Sequence, residues 1–417
     1  MNRFSRLQLK DRFFTTLQHL SLLVVFMGSL VGVASVTHAD QAIANLKVFK
    51  HDFTGDAARP KSIFVFLDGT SNDKDSATNV WQLYELITKN NAPQMTAYYI
   101  EGVGTARKPI VMAALGLGQE ARILRGYEFI TQQYRPGDKI FLFGFSRGAH
   151  EARALAGLIA YAGIPTENNQ TRPTGNKILE LVQEKKDADY VNAWKSWKVG
   201  DSPLLANEIL KKLSVSVQPV EVHFLGVWDT VPGSSFKSYK GGCKEHIGFV
   251  KKTLHRAPVI DRGERYKTDT YPPIRRLAHA LAIDEKRSKF TPILLCPPIS
   301  DYSQTEEVWF PGAHADVGGG YQDADGLPGL SLNWMIDLLN EIYKFNEPLP
   351  RALEDPNGLA HWSYGDVPSV AAGECKDRTV PGNAVLHPSI NVRKHSSQER
   401  IIVNDTPTMR DYPTRCP

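Results

Sequence analysis

A serine flanked by glycines stands where an apolar segment meets an alanine-rich one. The segment Lys139–Phe143 predicts a buried strand, Gly144-Phe145-Ser146-Arg147-Gly148 follows it, and Arg147–Ala162 predicts a helix. A G-x-S-x-G pattern between a strand and a helix is typical of a nucleophile elbow, a sharp turn that exposes a serine hydroxyl and needs small residues around it. Such a serine can attack an ester carbonyl. The alternative is a glycine-tight turn with an incidental serine.

A serine nucleophile needs a base, and the base needs an acid that orients it. Asp229 lies at the end of the apolar segment Val220–Val227, and His314 lies in a glycine-rich segment after Glu307–Phe310. The order serine, aspartate, histidine, with each residue just past a predicted strand, is the order found in hydrolases with this elbow. The sequence therefore predicts a Ser146, Asp229 and His314 triad that forms an acyl-enzyme.

The acid and the base both have rivals. Asp229 could merely cap a turn, and Asp316 is an alternative acid close to His314 in sequence. His279 is an alternative base, although a histidine among alanines in a predicted helix is more often a core residue. Catalysis by Asp229 and His314 is the favoured hypothesis.

The loop after the first strong strand is predicted to complete the site. The Arg147 amide, at the start of a helix, is the first candidate donor to an oxyanion, and the Gly69 amide is the second. Asp68 and Thr70 flank Gly69 and are predicted to contact the substrate. A metal-dependent phosphoesterase using Asp68 and Asp316 is a weaker alternative, because two carboxylates lack a recognisable ligand spacing. We expect no metal and no cofactor.

Strand and helix patterns alternate along the chain. This alternation indicates an α/β fold with a mainly parallel sheet and helices on both faces. The predicted strands are Ser62–Leu67, Thr96–Ile100, Lys139–Phe143, Val220–Val227 and Glu307–Phe310. The predicted helices are Asn79–Lys89, Gln119–Tyr134, Arg147–Ala162, Ile274–Lys286 and Leu332–Phe345.

The first 39 residues have the pattern of a secretory signal peptide. Basic residues precede the apolar segment Leu20–Val36, and Thr37-His38-Ala39 offers a cleavage site. An uncleaved membrane anchor is the alternative. Either interpretation predicts an exported protein, periplasmic or secreted. We expect residues 40–345 to form a catalytic domain with an insertion at 232–273, and residues 346–417 to form an irregular extension packed on the core.

Composition and charge narrow the possible partners. The chain has 417 residues, 42% of them hydrophobic, and a formal charge of +4, which excludes a disordered chain and gives no nucleic-acid signature. The insertion is rich in lysine and arginine, and Lys251 and Lys252 are predicted to attract an anionic substrate or membrane surface. An ordinary solvated loop is an equal alternative. The four cysteines allow two disulfides in an oxidising compartment.

Four sequence motifs resemble those of a known family. They are Phe66-Leu67-Asp68-Gly69-Thr70, Phe143-Gly144-Phe145-Ser146-Arg147-Gly148-Ala149, Leu225-Gly226-Val227-Trp228-Asp229-Thr230-Val231 and Pro311-Gly312-Ala313-His314-Ala315-Asp316-Val317-Gly318-Gly319-Gly320-Tyr321. With the segment His279–Phe290, they are similar to the phospholipase-like α/β-hydrolase domain of bacterial type VI secretion lipase effectors. The resemblance covers Lys61–Phe345. It implies an α/β-hydrolase-like fold and a Ser-Asp-His triad that hydrolyses phospholipid esters.

One feature departs from that family. Its effectors travel through an injection machine and normally have no signal peptide, whereas residues 1–39 predict general export. The resemblance therefore supports the catalytic site more strongly than a toxin role or a phospholipid substrate. A catalytically silent relative that binds a ligand through the same cleft is the alternative function.

Overall fold

The computed structural model describes residues 47–103, 118–166, 172–184, 191–232, 270–365, 372–396, 398–403 and 406–417. The predicted signal peptide, and Lys251 and Lys252 with most of the predicted insertion, lie outside these described residues. None of the helices within the described ranges is both long enough and apolar enough to cross a membrane.

Most of the paired strands in the described part of the chain run parallel to each other. In chain order they are β1 (Val48–Thr54), β2 (Ser62–Leu67), β3 (Met95–Ile100), β4 (Lys139–Phe145), β5 (Ile164–Pro165), β6 (Val217–Gln218), β7 (Val222–Trp228), β8 (Arg276–Ala282), β9 (Gln304–Phe310), β10 (Ala360–His361), β11 (Val385–Leu386), β12 (Gln398–Val403) and β13 (Thr406–Asp411). The main sheet has the order β1-β3-β2-β4-β7-β8-β9-β11. Only β1 pairs antiparallel in it, and every other pairing is parallel.

Helices cover both faces of this sheet. In chain order they are α1 (Asn79–Asn90), α2 (Gln119–Gln133), α3 (Arg147–Ala162), α4 (Arg172–Gln183), α5 (Val191–Ser196), α6 (Ala206–Leu213), α7 (His314–Gly318), α8 (Leu327–Asn340) and α9 (Pro388–His395). Along β2, Ile63 and Val65 pack with α2 and α3, while Phe64 and Phe66 pack with α1 and α8. Because successive side chains of a strand point to opposite faces, a strand covered on both sides is apolar throughout. The predicted α/β class is confirmed.

One predicted helix is wrong. The segment Ile274–Lys286 was expected to be helical because it is rich in alanine, but Arg276–Ala282 is the strand β8, buried at all seven positions. Leu277 and Leu281 alternate with Ala278 and Ala280, and the small side chains lie on the face that packs against α8. A strand with two buried faces lacks the polar alternation that distinguishes a strand from a helix. The last predicted helix also begins earlier, at Leu327.

The C-terminal extension is more regular than predicted. Its strands β10, β12 and β13 form a small separate sheet, and β11 adds a parallel strand beside β9 at the edge of the main sheet. A disulfide joins Cys375 to Cys416, and Cys296 is also disulfide-bonded. Cys243 lies outside the described residues. The extension is thus tied to the main sheet through a strand and is closed on itself by a covalent link.

Candidate active site

The carboxyl ends of three parallel strands carry the predicted catalytic residues. Ser146 follows β4, Asp229 follows β7, and His314 opens the short helix α7 after β9. Parallel strands end at the same edge of a sheet, which is where open α/β sheets place their ligands. The structure therefore brings these three residues to one edge.

Ser146 adopts the strained backbone of a nucleophile elbow. Its φ of 59° and ψ of −126° lie outside the conformations that a side-chain-bearing residue prefers. The flanking glycines are required by close backbone contacts. A β-carbon added to Gly148 would lie 2.1 Å from the Leu67 carbonyl oxygen, and one added to Gly144 would lie 2.4 Å from the Gly148 carbonyl oxygen. The tight turn expected from the sequence is present.

His314 is joined to Asp229 in the interior. Its Nδ1 atom lies 2.5 Å from Asp229 Oδ2, and both side chains are buried. The Ala282 amide donates to Asp229 Oδ1 at 3.0 Å, which holds the carboxylate plane in place. A carboxylate in this position fixes the tautomer of the imidazole and leaves Nε2 as an acceptor.

The charges of this pair suit a neutral base beside an ionised acid. Burial lowers the pKa of His314, and the hydrogen bond and charge of Asp229 only partly oppose it. Burial raises the pKa of Asp229, but the positive charge of Arg378 and the hydrogen bond to His314 outweigh that effect and hold it below its usual value. An imidazole with a lowered pKa is unprotonated at neutral pH, as a general base must be.

Aromatic rings and a buried carboxylate fix the position of His314. Its ring lies 4.6 Å from the ring of Phe145, the residue before Ser146, and 5.1 Å from that of Phe290. Its amide donates to Glu285 Oε2 at 3.1 Å, and Glu285 is held by the Arg287 guanidinium. That guanidinium opposes the cost of burial and lowers the pKa of Glu285 to about 2.

Arg378 also reaches this site, although nothing in its surrounding sequence predicts it. Its guanidinium donates to Asp229 Oδ1 at 2.6 Å and to Oδ2 at 2.8 Å. The residue belongs to the C-terminal extension, for which the sequence predicts only an irregular segment packed on the core. Recognising this arginine from sequence requires knowing how the extension folds back.

The rival acid and base have other partners. Asp316 accepts hydrogen bonds from the Ala313 and His361 amides at 2.8 and 3.0 Å, and its Oδ1 lies 2.6 Å from His361 Nδ1. His279 is part of β8, where its Nε2 accepts from the Thr230 amide at 3.1 Å and its Nδ1 lies 3.0 Å from Glu307. His279 is therefore a buried histidine with two partners.

The loop after β2 differs in detail from the prediction. Gly69 lies beside Ser146, since a β-carbon added to it would be 3.2 Å from Ser146 Cβ, but its amide donates to Asp68 Oδ1 at 2.7 Å. The predicted oxyanion donor is thus directed at a carboxylate. Among the described residues, the buried Thr70 hydroxyl has no hydrogen-bond partner. In the described part of the chain, a hydroxyl without a hydrogen-bond partner thus lies one residue beyond Gly69.

Asp68 does not present its carboxylate to the cleft, contrary to the expected substrate contact. The side chain is completely buried, and its Oδ2 accepts hydrogen bonds from the Thr78 and Tyr99 hydroxyls at 2.5 and 2.6 Å. Burial raises the pKa of Asp68, and these donors partly oppose the rise. Since Asp68 and Asp316 bind separate internal groups, they do not form the pair that the metal hypothesis requires. The described ranges contain no cluster of three His, Cys, Asp or Glu side chains that could hold a metal ion.

Several known proteins are similar to this chain. The chain is 25% identical to the uncharacterized protein YEL023C of Saccharomyces cerevisiae over 255 residues, which are 57% of this chain and 33% of that protein. A solved structure of an uncharacterized protein from Pseudomonas aeruginosa is 17% identical, covers 70% of this chain and 47% of that one, and has a TM-score of 0.39. The solved structure of the Tle1 effector bound to the VgrG spike from the type 6 secretion system is 19% identical. It covers 65% of this chain and 52% of that one, and has a TM-score of 0.29. The chain spans about a third of the yeast protein and about half of each solved chain.

A family model covers the core of the fold and the whole candidate site apart from the extension. Residues 61–338, more than half of the chain, match the model described as "T6SS, Phospholipase effector Tle1-like, catalytic domain". The matched residues run from β2 into α8 and contain Ser146, Asp229 and His314. The matched domain is a hydrolase domain of the lipase and esterase class. The chain therefore belongs to the Tle1-like family of type VI secretion phospholipase-effector catalytic domains.

Proposed function

We propose that the protein is a serine ester hydrolase whose nucleophile is Ser146. The observation that carries this proposal is the buried contact between His314 Nδ1 and Asp229 Oδ2, formed at the sheet edge where the elbow ends. With Nδ1–H directed at Asp229, the His314 Nε2 atom is free of a proton and can accept one from Ser146. The strained backbone at Ser146 supports the same assignment.

The reaction takes place in two displacements. Ser146 Oγ attacks the ester carbonyl carbon while His314 Nε2 takes its proton, and the bond to the leaving alcohol breaks as His314 returns that proton to it. Water then attacks the acyl-enzyme with His314 again as base, which releases the carboxylic acid and restores Ser146. We assign the oxyanion to the Arg147 amide at the start of α3 and to Thr70.

A fluorophosphonate probe tests the nucleophile. The folded wild-type protein should be labelled covalently, and Ser146→Ala should lose labelling completely because no other residue supplies the attacking oxygen. Asp229→Asn should slow labelling strongly because it removes the charge that supports His314. A folded wild-type protein that resists the probe would instead favour a ligand-binding relative. Labelling and hydrolysis unaffected by a chelator would exclude the metal-dependent phosphoesterase.

We further propose a phospholipid as the ester substrate. The family description supports this class, and the basic insertion with Lys251 and Lys252 would attract an anionic headgroup or membrane surface. Lys251→Glu with Lys252→Glu should weaken binding to phosphatidylglycerol vesicles while labelling of Ser146 in solution is unchanged. Binding of the variant equal to that of wild type would mean that these lysines do not attract the membrane surface.

The N-terminal sequence supports export of the catalytic domain. Its basic residues and apolar segment Leu20–Val36 would direct the chain to a secretory pathway, with cleavage after Ala39. N-terminal sequencing of the exported protein should then begin at Asp40. A chain that keeps Met1 and stays with the membrane would support the anchor alternative.

A further inference from the structure

The C-terminal extension places an arginine on the proposed catalytic acid. Besides its two bonds to Asp229, the Arg378 guanidinium donates to the Ala282 carbonyl at 2.5 Å and to the Phe290 carbonyl at 2.6 Å. The Arg378 side chain is only 5% exposed and that of Asp229 is fully buried. Two parallel bonds between a planar guanidinium and a carboxylate fix the carboxylate's orientation, which a single point charge cannot do.

The three residues before Arg378 are each anchored to another part of the fold. Cys375 is bonded to Cys416, and the Lys376 amide donates to the Lys286 carbonyl at 2.8 Å. The next residue, Asp377, accepts from Lys286 Nζ at 2.7 Å. The guanidinium is therefore delivered to Asp229 by a fixed backbone.

The charge of Arg378 weakens the attraction of the Asp229 carboxylate for a proton on His314. A carboxylate that already binds a guanidinium attracts a proton on a neighbouring imidazole less strongly than an isolated carboxylate does. The described charged and titratable groups that face the buried pair are Arg378, Glu285, Arg287 and His279. Of these, Arg378 alone makes two hydrogen bonds to the Asp229 carboxylate.

We propose that Arg378 is a positioning residue for ester hydrolysis, which orients Asp229 and keeps His314 unprotonated at lower pH than Asp229 alone would allow. This inference rests on the proposed function, since it requires His314 to be the base. It extends the site beyond the family-matched residues 61–338 into the C-terminal extension. Arg378 acts through Asp229 and does not contact the reacting atoms.

The test measures the rate constant for fluorophosphonate labelling of Ser146 between about pH 5 and pH 9, a range that brackets the ordinary imidazole pKa. Wild type is compared with Arg378→Gln and Arg378→Lys. The control is Arg400→Gln, which removes a half-exposed arginine of the same extension that bonds Asp325. Near-ultraviolet circular dichroism establishes that each variant is folded.

Arg378→Gln should lower the rate constant at neutral pH by up to about a hundredfold, the effect of a misplaced reacting group. It should also move the acid limb, the part of the pH profile where the rate constant falls as pH decreases, to higher pH. The reason is that His314 protonates more easily beside a carboxylate whose charge no arginine balances. Arg378→Lys should keep the acid limb, since the charge remains, but react more slowly. Arg400→Gln should match wild type in both respects.

The outcomes separate this inference from the proposed function. Absence of labelling in wild type would refute the proposed function. If wild type is labelled, and a folded Arg378→Gln variant keeps the wild-type rate constant and acid limb, the proposed role of Arg378 is overturned. If Arg378→Gln does not fold, Arg378→Lys decides, and labelling of that variant at the wild-type rate would overturn the inference.

Discussion

Asp68 and Thr70, both predicted from the sequence to contact the substrate, have different surroundings in the structure. Asp68 turns inward and binds Thr78, Tyr99 and the Gly69 amide, so it stabilises the shape of the loop. Thr70 follows Gly69, which lies beside Ser146, and its hydroxyl has no partner within the described ranges. A buried hydroxyl without a partner costs free energy, which a negatively charged reaction intermediate would offset.

Thr70→Val removes this hydroxyl and keeps the shape of the side chain. If the hydroxyl donates to the oxyanion, kcat for an ester substrate should fall by about a hundredfold, the loss typical of one donor, while KM changes little. Thr70→Ser retains the hydroxyl and should keep most of the activity. Steady-state kinetics of both variants make the comparison. A Thr70→Val enzyme with the kcat of wild type would rule the hydroxyl out.

The predictability of single residues depended on where their partners lie. Ser146, Asp229 and His314 each follow a predicted strand, so the ends of three parallel strands place them together before any contact is known. Arg378 follows no strand that the sequence predicts and is 149 residues from its partner Asp229. Gly69 was correctly placed near Ser146, but the direction of its amide depended on the Asp68 side chain. The sites that could not be predicted are those fixed by side-chain contacts between distant segments.

Among the elements, α7 is braced from outside the family-matched domain. His361 in β10 places Nδ1 2.6 Å from Asp316 and Nε2 3.0 Å from Asp323, and the Tyr321 ring stacks on it at 3.5 Å. Both ring nitrogens face carboxylates, an arrangement that suits the protonated imidazole. Burial lowers the pKa of His361, but the hydrogen bonds and charges of the two carboxylates outweigh it, so the pKa is raised overall.

The raised pKa predicts a pH-dependent contribution to stability. A histidine whose folded-state pKa exceeds its unfolded value of about 6.5 stabilises the fold fully below that value, and the contribution is lost as pH rises through the folded-state pKa. His361→Gln should therefore lower the free energy of unfolding more at about pH 5 than at about pH 9. Urea denaturation at both pH values measures this difference. The exposed His395→Gln is the control, and an equal loss at both pH values in His361→Gln would contradict the prediction.

The strand β8 could not be recognised as a strand from its sequence. Its neighbours β7 and β9 were predicted as strands because β-branched and aromatic residues distinguish them, whereas Leu277–Ala282 has the composition of a helix. Packing on two faces overrides this local preference, because β8 fills the gap between β7 and β9 in the sheet. The extension was unpredictable for a similar reason, since β11 has two residues and depends on its pairing with β9.

At the scale of the whole molecule, the extension contacts the family-matched domain through a strand, a histidine and an arginine. The strand β11 continues the main sheet, His361 braces α7, and Arg378 binds Asp229. The disulfide between Cys375 and Cys416 closes a 41-residue segment that contains Arg378 and β11. Removing it should therefore affect the proposed catalytic acid as well as stability.

Cys375→Ser with Cys416→Ser tests this coupling. In the chain-entropy model, loss of a 41-residue loop lowers the free energy of unfolding by about 4 kcal/mol, which thermal and urea denaturation would detect. Because Arg378 lies three residues from Cys375, the loosened segment should also leave Asp229 part of the time, slow the labelling of Ser146 and shift its acid limb to higher pH. Adding Arg378→Gln to this pair should then slow labelling by less than it does in the disulfide-bonded protein, because both changes act through one contact. Labelling of the folded double-serine variant at the wild-type rate and pH profile would mean that the disulfide stabilises the extension without holding Arg378 on the acid.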